Sequence, residues 1–396
     1  MINPTKSKRT ALLRVDFNVP VYNGSISDTT RIRATIPTIE FLLKLKFRVV
    51  IISHHGRPEK WNKENSLEFI VEPLSKLLEQ DVLFFKQSLL SPNLDKLSLP
   101  NTSIILLENI RFYPEETLNE FTFCEKLSKL ADVYINDAFG AAHRPHASVF
   151  GIQKFFQDRK YRGLLIEKEI KELSKIKTSP NRPFNVIVGG SKVSSKIAML
   201  SYFLGKADNI IIGGGMAFPF IKAFGGRVGN SLCDSKEVIL ATSLIEKSKS
   251  EKTNFILPDD VIVARSIRDY KSAITVNINS IPADYMGLDI GPKSIKKFGV
   301  LINESKSLLW NGPMGVFEQR EYSTGTFTIA KQIAECQANG LYSLAGGGDT
   351  VSAITRYMLQ ERFSYLSTGG GAMLDFFKKS NLPGINNLKP ISNIEA

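Results

Sequence analysis

The residues best suited to chemistry in this 396-residue chain stand in two unlike sets of clusters. In the first half, apolar runs end in charged, histidine-bearing segments: RVDFNVP (14–20), SHHGRP (53–58), ENIRF (108–112) and NDAFGAAHRPH (136–146). All four histidines, His54, His55, His143 and His146, lie in two of these segments. A metal site is one reading, but HRPH has a proline in the middle, no helix orients the pair, and neither motif contains an acidic ligand. Arg31, Arg57, Arg111 and Arg144 accompany the clusters, and guanidinium forks bind carboxylate and phosphate through paired hydrogen bonds. One arginine after a strand is usually a surface ion pair. Four from separate loops at one sheet edge point to a small, multiply anionic substrate.

The second half ends its apolar runs in glycines: GGSK (189–192), GGGMAF (213–218), NGPMG (311–315), GGGDT (346–350) and STGGGA (367–372). Glycines let backbone approach an anion, Ser191 can cap, and a helix N-terminus presents free amides and a positive dipole. Lys192 and Lys196, four apart, are expected to share a helix face there. No Walker A pattern occurs, and Gly213–Gly215 do not continue as GxGxxG. Any one of these clusters reads first as a tight strand-to-helix turn; five together point to a nucleotide-phosphate site. Asp349 is either an N-cap or a carboxylate for Mg²⁺ beside phosphate. Glu318 is either a ligand for ribose hydroxyls or a solvated glutamate.

The elements that must position these residues are β-branched runs alternating with helical stretches. In the first half they are 11–15, 47–53, 82–85, 103–108 and 133–137; in the second, 185–190, 209–215, 254–260, 307–313, 341–348 and 363–371. Such alternation implies parallel βαβ units, whose ligands lie outside the carboxyl ends of the strands. Leu165, Ile166, Ile170, Leu173 and Ile176 give one buried stripe on a helix over 162–176, followed by the proline-containing break 177–183. This helix is the expected connector between two domains. The last residues show few apolar positions and no periodicity, so they either pack back across the connector or fray.

Composition bounds the function. The chain is 43% hydrophobic and 23% charged, and long enough for two cores. Cys124, Cys233 and Cys336 are far apart, which excludes a disulfide framework and suits reduced thiols in a cytoplasm. No signal peptide or membrane-spanning run is evident, so no membrane partner is expected. The net charge of +12 fits a nucleic-acid or membrane-surface partner or an enzyme for acidic substrates and alone decides nothing; without a basic tail or an aromatic ladder, no nucleic-acid partner is expected.

With RVDFNVP, SHHGRP, LENIRF, NDAFGAAHR, GGSKVSSKI, WNGPMGVFE, AGGGDT and STGGGA in this order, the chain closely resembles the phosphoglycerate kinases over essentially its full length. The resemblance implies two doubly wound parallel-sheet, Rossmann-like α/β domains, joined by a connecting helix and a hinge. It implies reversible transfer of the acyl phosphate of 1,3-bisphosphoglycerate to MgADP, giving 3-phosphoglycerate and ATP, in a cytoplasmic monomer. Asp16, Phe17, Asn18, Arg31, His54, His55, Gly56, Arg57, Arg111 and Arg144 resemble the substrate-binding residues. Arg31, Lys192, Gly369, Gly370 and Gly371 resemble the catalytic ones. Lys196, Asn311, Glu318, Gly347, Gly348, Asp349 and Thr350 resemble the nucleotide site, with Asp349 on the metal. Ser367 and Thr368 match a hinge. The expected domains are 1–168 for the glycerate substrate, a linker over 169–180, 181–366 for the nucleotide, and 367–396 packing back on the first domain. His55, where the family usually has an apolar residue, is expected to face solvent, and the basic pI has no functional account.

Overall fold

The computed structural model describes residues 9–22, 24–91, 95, 102–379 and 381–395. The chain forms two compact units: Met1–Lys171 with Lys379–Ala396, and Glu172–Lys378.

The first unit is built on seven parallel strands. In chain order these are β1 (Thr10–Arg14), β2 (Arg48–Ile52), β3 (Leu83–Phe85), β4 (Ile104–Leu107), β5 (Val133–Asn136) and β6 (Lys160–Arg162), with the short strand Lys389–Pro390 at one edge. Their spatial order is 389–390, β6, β5, β1, β2, β4, β3. Every residue of β1 and β2 is buried, as expected of a sheet covered on both faces. Leu13, Val49, Ile51, Leu106 and Ile135 join the core on one face, and Leu12, Val50, Ile105, Leu107 and Tyr134 join that on the other. From β1 the chain moves outward through β2, then later returns to β5 on the opposite side. The ends of β1 and β5 therefore flank the topological switch point.

The second unit repeats the plan. Its six parallel strands are β7 (Phe184–Val188), β8 (Asn209–Ile212) and β9 (Asn254–Ile256), followed in the chain by an antiparallel trio. The trio is β10 (Asp260–Ala264), β11 (Ile274–Asn277) and β12 (Met286–Ile290). The main sheet continues with β13 (Ser307–Asn311), β14 (Tyr342–Gly346) and β15 (Tyr365–Ser367), in the order β9-β8-β7-β13-β14-β15. Here the switch point lies between β7 and β13. Trp310, Phe298 and Ile329 are among the wholly buried side chains of its main core. The sheet β11-β10-β12 has no counterpart in the sequence reading.

The helix Leu164–Thr178 runs across the unit boundary, and Leu165, Ile166, Leu173 and Ile176 of its apolar stripe are buried. The segment 367–396, expected to pack as one piece on the first domain, is instead divided. The helix Gly371–Lys378 belongs to the second unit, where Phe377 packs edge-to-face with Phe203, ring centroids 5.1 Å apart. From Lys379 the chain belongs to the first unit, and Leu388, Ile391 and Ile394 are buried in its cores. Among the described residues no helix is long and apolar enough to cross a membrane.

Candidate active site

In the first unit, four strand ends deliver cations to one place. Asp16 follows β1, and Arg31 in the first turn of the helix Thr30–Lys44 donates to both of its oxygens at 3.2 Å and to the Asn18 carbonyl at 2.9 Å. Asn18 in turn accepts the Gly56 amide at 2.9 Å, joining the β1 and β2 loops. His54 Nδ1 lies 3.2 Å from Arg14 Nη2 and 3.9 Å from Asp16. Burial alone would raise the Asp16 carboxyl, but Arg31 and Arg14 and the Asn18 amide hold it below its ordinary range. His54 is pushed well below the usual imidazole range by burial and by Arg14, Arg111 and Arg31, so it is neutral at pH 7.

The remaining cations repel one another. Arg111 is driven down to about 10 by burial and by Arg14, Arg144 and Arg57. Arg144 is lowered by burial and by Arg57, and His146 falls to about 4 through burial and the arginines around it. Arg111 Nε and Nη2 are buried without a hydrogen-bond partner, and His146 Nδ1 has only Glu116 Oε1 at 3.9 Å. Guanidinium donors held together among mutually repelling cations have the chemistry to take an anion. Arg14, inside β1 and fully buried, backs the cluster: it donates to the Val15 carbonyl and to Ser148 Oγ at 2.9 Å. Ser148 is held by the buried Glu116 at 2.7 and 2.8 Å.

Some expected ligands are placed otherwise. Phe17 is a core side chain whose amide is donated to Ser53 Oγ at 2.8 Å, so it holds the loop and presents no free group. His55 does not face solvent: it sits half-buried, edge-on to Phe69 at 5.0 Å between ring centroids. The apolar partner explains how this position accepts a ring where a hydrophobe was expected. Arg14 went unremarked in the sequence, although a lone charge inside the run ALLRV was a signal.

In the second unit the strand ends are made of backbone. Lys192 is exposed in the loop after β7, and the following helix begins only at Ile197 with Lys196 at its N-cap. The two lysines therefore do not share a helix face, because the Val193 carbonyl accepts the Lys196 amide in a tight turn at 2.8 Å. Ser191, exposed in that loop, is not the cap. Lys196 turns inward instead: Nζ donates to the carbonyls of Gly189 at 2.6 Å and Asn311 at 2.9 Å, clamping β7 to β13 across the switch point. Burial lowers its ammonium to about 8, against the opposing pull of Asp349. Gly312 has φ +102°, and a Cβ there would strike the Gly189 carbonyl and Lys196 Nζ. Asn311 and Thr350 are braces: Asn311 Nδ2 donates to the Gly346 carbonyl at 2.7 Å, and Thr350 Oγ1 accepts the Gly312 amide at 2.6 Å. Gly347 caps the helix Gly348–Arg356, leaving Asp349 exposed in its first turn rather than at the N-cap. Gly369 and Gly370 precede the helix that opens at Gly371.

Beside these turns lies a cavity of ≈ 200 Å³. Gly190, Gly214 and Gly215 form part of its wall, Asp349 and Glu318 its polar rim, and Phe218, Val261 and Leu288 an apolar side. That side comes largely from the antiparallel trio and from the helix after GGGM, which strand-end motifs did not reveal. A slot with an apolar wall, exposed backbone and the carboxylates of Asp289, Glu318 and Asp349 in its lining has chemistry that suits a nucleoside phosphate with its cation.

The comparisons with known proteins agree with both halves. The family model described as phosphoglycerate kinase matches residues 3–379. The cytosolic phosphoglycerate kinase of Nicotiana tabacum is 44% identical over 383 residues, covering 96% of this chain and 95% of the relative. That of Prochlorococcus marinus (strain MIT 9515) is 46% identical over 378 residues, 94% of each. Among solved structures, phosphoglycerate kinase from Coxiella burnetii superposes with a TM-score of 0.82 at 36% identity over 97% of both chains. The enzyme from Pyrococcus horikoshii OT3 gives 0.78 at 30% identity over 95% of both. The family model spans nearly the whole chain, the relatives are matched over 94% or more of their length, and the chain belongs to the phosphoglycerate kinase family of phosphotransferases.

Proposed function

We propose that the first unit binds 3-phosphoglycerate or 1,3-bisphosphoglycerate and the second binds ADP or ATP, and that a phosphoryl group passes reversibly between them. The observation that carries the substrate assignment is Arg111, whose Nε and Nη2 are buried without a hydrogen-bond partner amid mutually repelling arginines. A carboxylate attacking or leaving phosphorus has no proton to lose at neutral pH, so no general base is required, and His54 held neutral is not asked to be one. Catalysis reduces to holding the reacting oxygens in line and neutralising the charge that spreads over the equatorial oxygens. Arg31, Arg57, Arg111 and Arg144 bind the glycerate end, with Asp16 and Asn18 orienting Arg31. Lys192, free to reach from its exposed loop, and the amides of Gly369–Gly371 stabilise the transferring group. Glu318 takes the ribose hydroxyls, and Gly347 and Gly348 meet the phosphates.

Mg²⁺ fits the donor set. Asp349 is an exposed carboxylate on the cavity rim, and a site of this kind takes one or two carboxylates together with substrate phosphates rather than an all-protein cage. When bound with nucleotide, the ion would neutralise phosphate charge. The three cysteines are free thiols, which suits a cytoplasmic monomer. A coupled assay for ATP from 1,3-bisphosphoglycerate, ADP and Mg²⁺ is expected to show turnover, lost on Arg111→Ala through weaker binding of the glycerate substrate. Loss of ADP binding in that variant would reverse the assignment of substrates to units.

A further inference from the structure

Asn109, at the end of the run that forms β4, is wholly buried and touches no candidate ligand-binding side chain directly. Its amide nevertheless binds the backbone of two loops that carry cations. Oδ1 accepts the amides of His55 at 3.3 Å and Arg111 at 3.0 Å. Nδ2 donates to the carbonyls of His55 at 2.7 Å and Asn65 at 2.8 Å. The side chain thus pairs with both backbone groups of His55, much as a neighbouring strand would, and also caps the short turn Ile110–Phe112 that carries Arg111. Glu108 adds a second anchor for the same loop, accepting Ser66 Oγ at 2.8 Å and the Leu67 amide at 2.9 Å.

The loop so held, 53–67, carries His54 and Arg57 and has no strand or α-helix of its own. Arg57 and Arg111 repel each other. Without an internal tie, two such segments would move apart in the absence of an anion. An amide ties them without adding a negative charge that would compete with the substrate. A carboxylate of the same shape would keep the two acceptor contacts and lose both donations.

We propose that Asn109 is a positioning residue for the anion site: it sets the separation of the His54–Arg57 loop from the Arg111 turn, so that their donors are preorganised for a phosphorylated carboxylate. The inference rests on the reading that the first unit binds 3-phosphoglycerate. Calorimetry on the full chain tests it. Asn109→Ala is expected to raise the Kd for 3-phosphoglycerate by about tenfold or more, with the Kd for MgADP essentially unchanged. Because Asn109 acts through Arg57, the double variant Asn109→Ala/Arg57→Ala should lose much less affinity than the product of the single losses. A role in stability alone would lower Tm and leave that coupling absent. Should Asn109→Ala fail to fold, Asn109→Asp gives the same two readouts. An unchanged 3-phosphoglycerate Kd in a folded variant, or single losses that multiply fully, would overturn the proposal. Wild-type protein that bound MgADP but not 3-phosphoglycerate would instead sink the functional reading, and this inference with it.

Discussion

At the end of β1, the proposed anion site of the first unit is built from side chains: Arg14, Arg31, Arg57, Arg111 and Arg144 crowd together, with Asp16 and Glu116 among them. At the end of β7, the second unit offers glycine backbone, with Lys192, Glu318 and Asp349 exposed and Lys196 turned inward as a clamp. The difference is one of where the cost lies. A site of clustered cations carries electrostatic strain before any ligand arrives, so removing a charge weakens binding but relieves the fold. A site of backbone carries no such strain, yet turns such as those at Gly189, Gly214 and Gly312 leave no room for a Cβ, so substitution there harms the fold itself.

The contrast breaks most visibly at Gly312. Gly312→Ala forces a side chain into positive φ and against the Gly189 carbonyl, and it should cost about 3 kcal/mol or more of stability. Denaturant unfolding that matched wild type would show that the second unit is not built as described. Lys192→Ala comes next, with turnover expected to fall by about 10² or more and nucleotide affinity little changed, the mark of a contact made in the transition state. Near-normal turnover with a raised KM for ADP would make it a mere anchor.

Arg57→Ala should raise the KM for 3-phosphoglycerate by roughly tenfold, about 1.4 kcal/mol, while Tm stays level or rises, because Arg57 pushes on both Arg111 and Arg144. A clear drop in Tm would show that the charge is structural. The smallest effect concerns pH. His146 has a folded pKa of about 4 against an ordinary value of 6.5, so the unfolded chain binds more protons between these values. Its contribution to stability is full above pH 6.5 and is lost as pH falls towards 4. Tm measured across that range should decline less in His146→Gln than in wild type; parallel curves would refute the assignment.

Much of this was legible in the sequence because parallel strands buried on both faces read as unbroken apolar runs. Those runs placed both main sheets, and the polar clusters after them placed the site loops. What stayed hidden involved long-range partners. Lys196 was expected on a helix face, and only the approach of β13 to β7 gives its ammonium two carbonyls to bind. The trio β10–β12 alternates weakly: β11 is mostly exposed, so its residues carry no clear period. Asn109 looked like part of a motif, and its work is visible only when His55 and Asn65 are brought beside it.

The return of the chain to the first unit at Lys379 also sets a schedule for synthesis. Asn136 Nδ2 donates to the Gly384 carbonyl and the Gly384 amide to the Ala142 carbonyl, so the loop bearing Arg144 is backed by a segment made 248 residues after Asn136. Until then, the edge of β6 that pairs with Lys389–Pro390 has no strand beside it. All of Glu172–Lys378 must be made in between, which at about 5–20 residues per second takes roughly 10–40 s. The second unit, one unbroken stretch, can finish folding while the first is still waiting for its last strand.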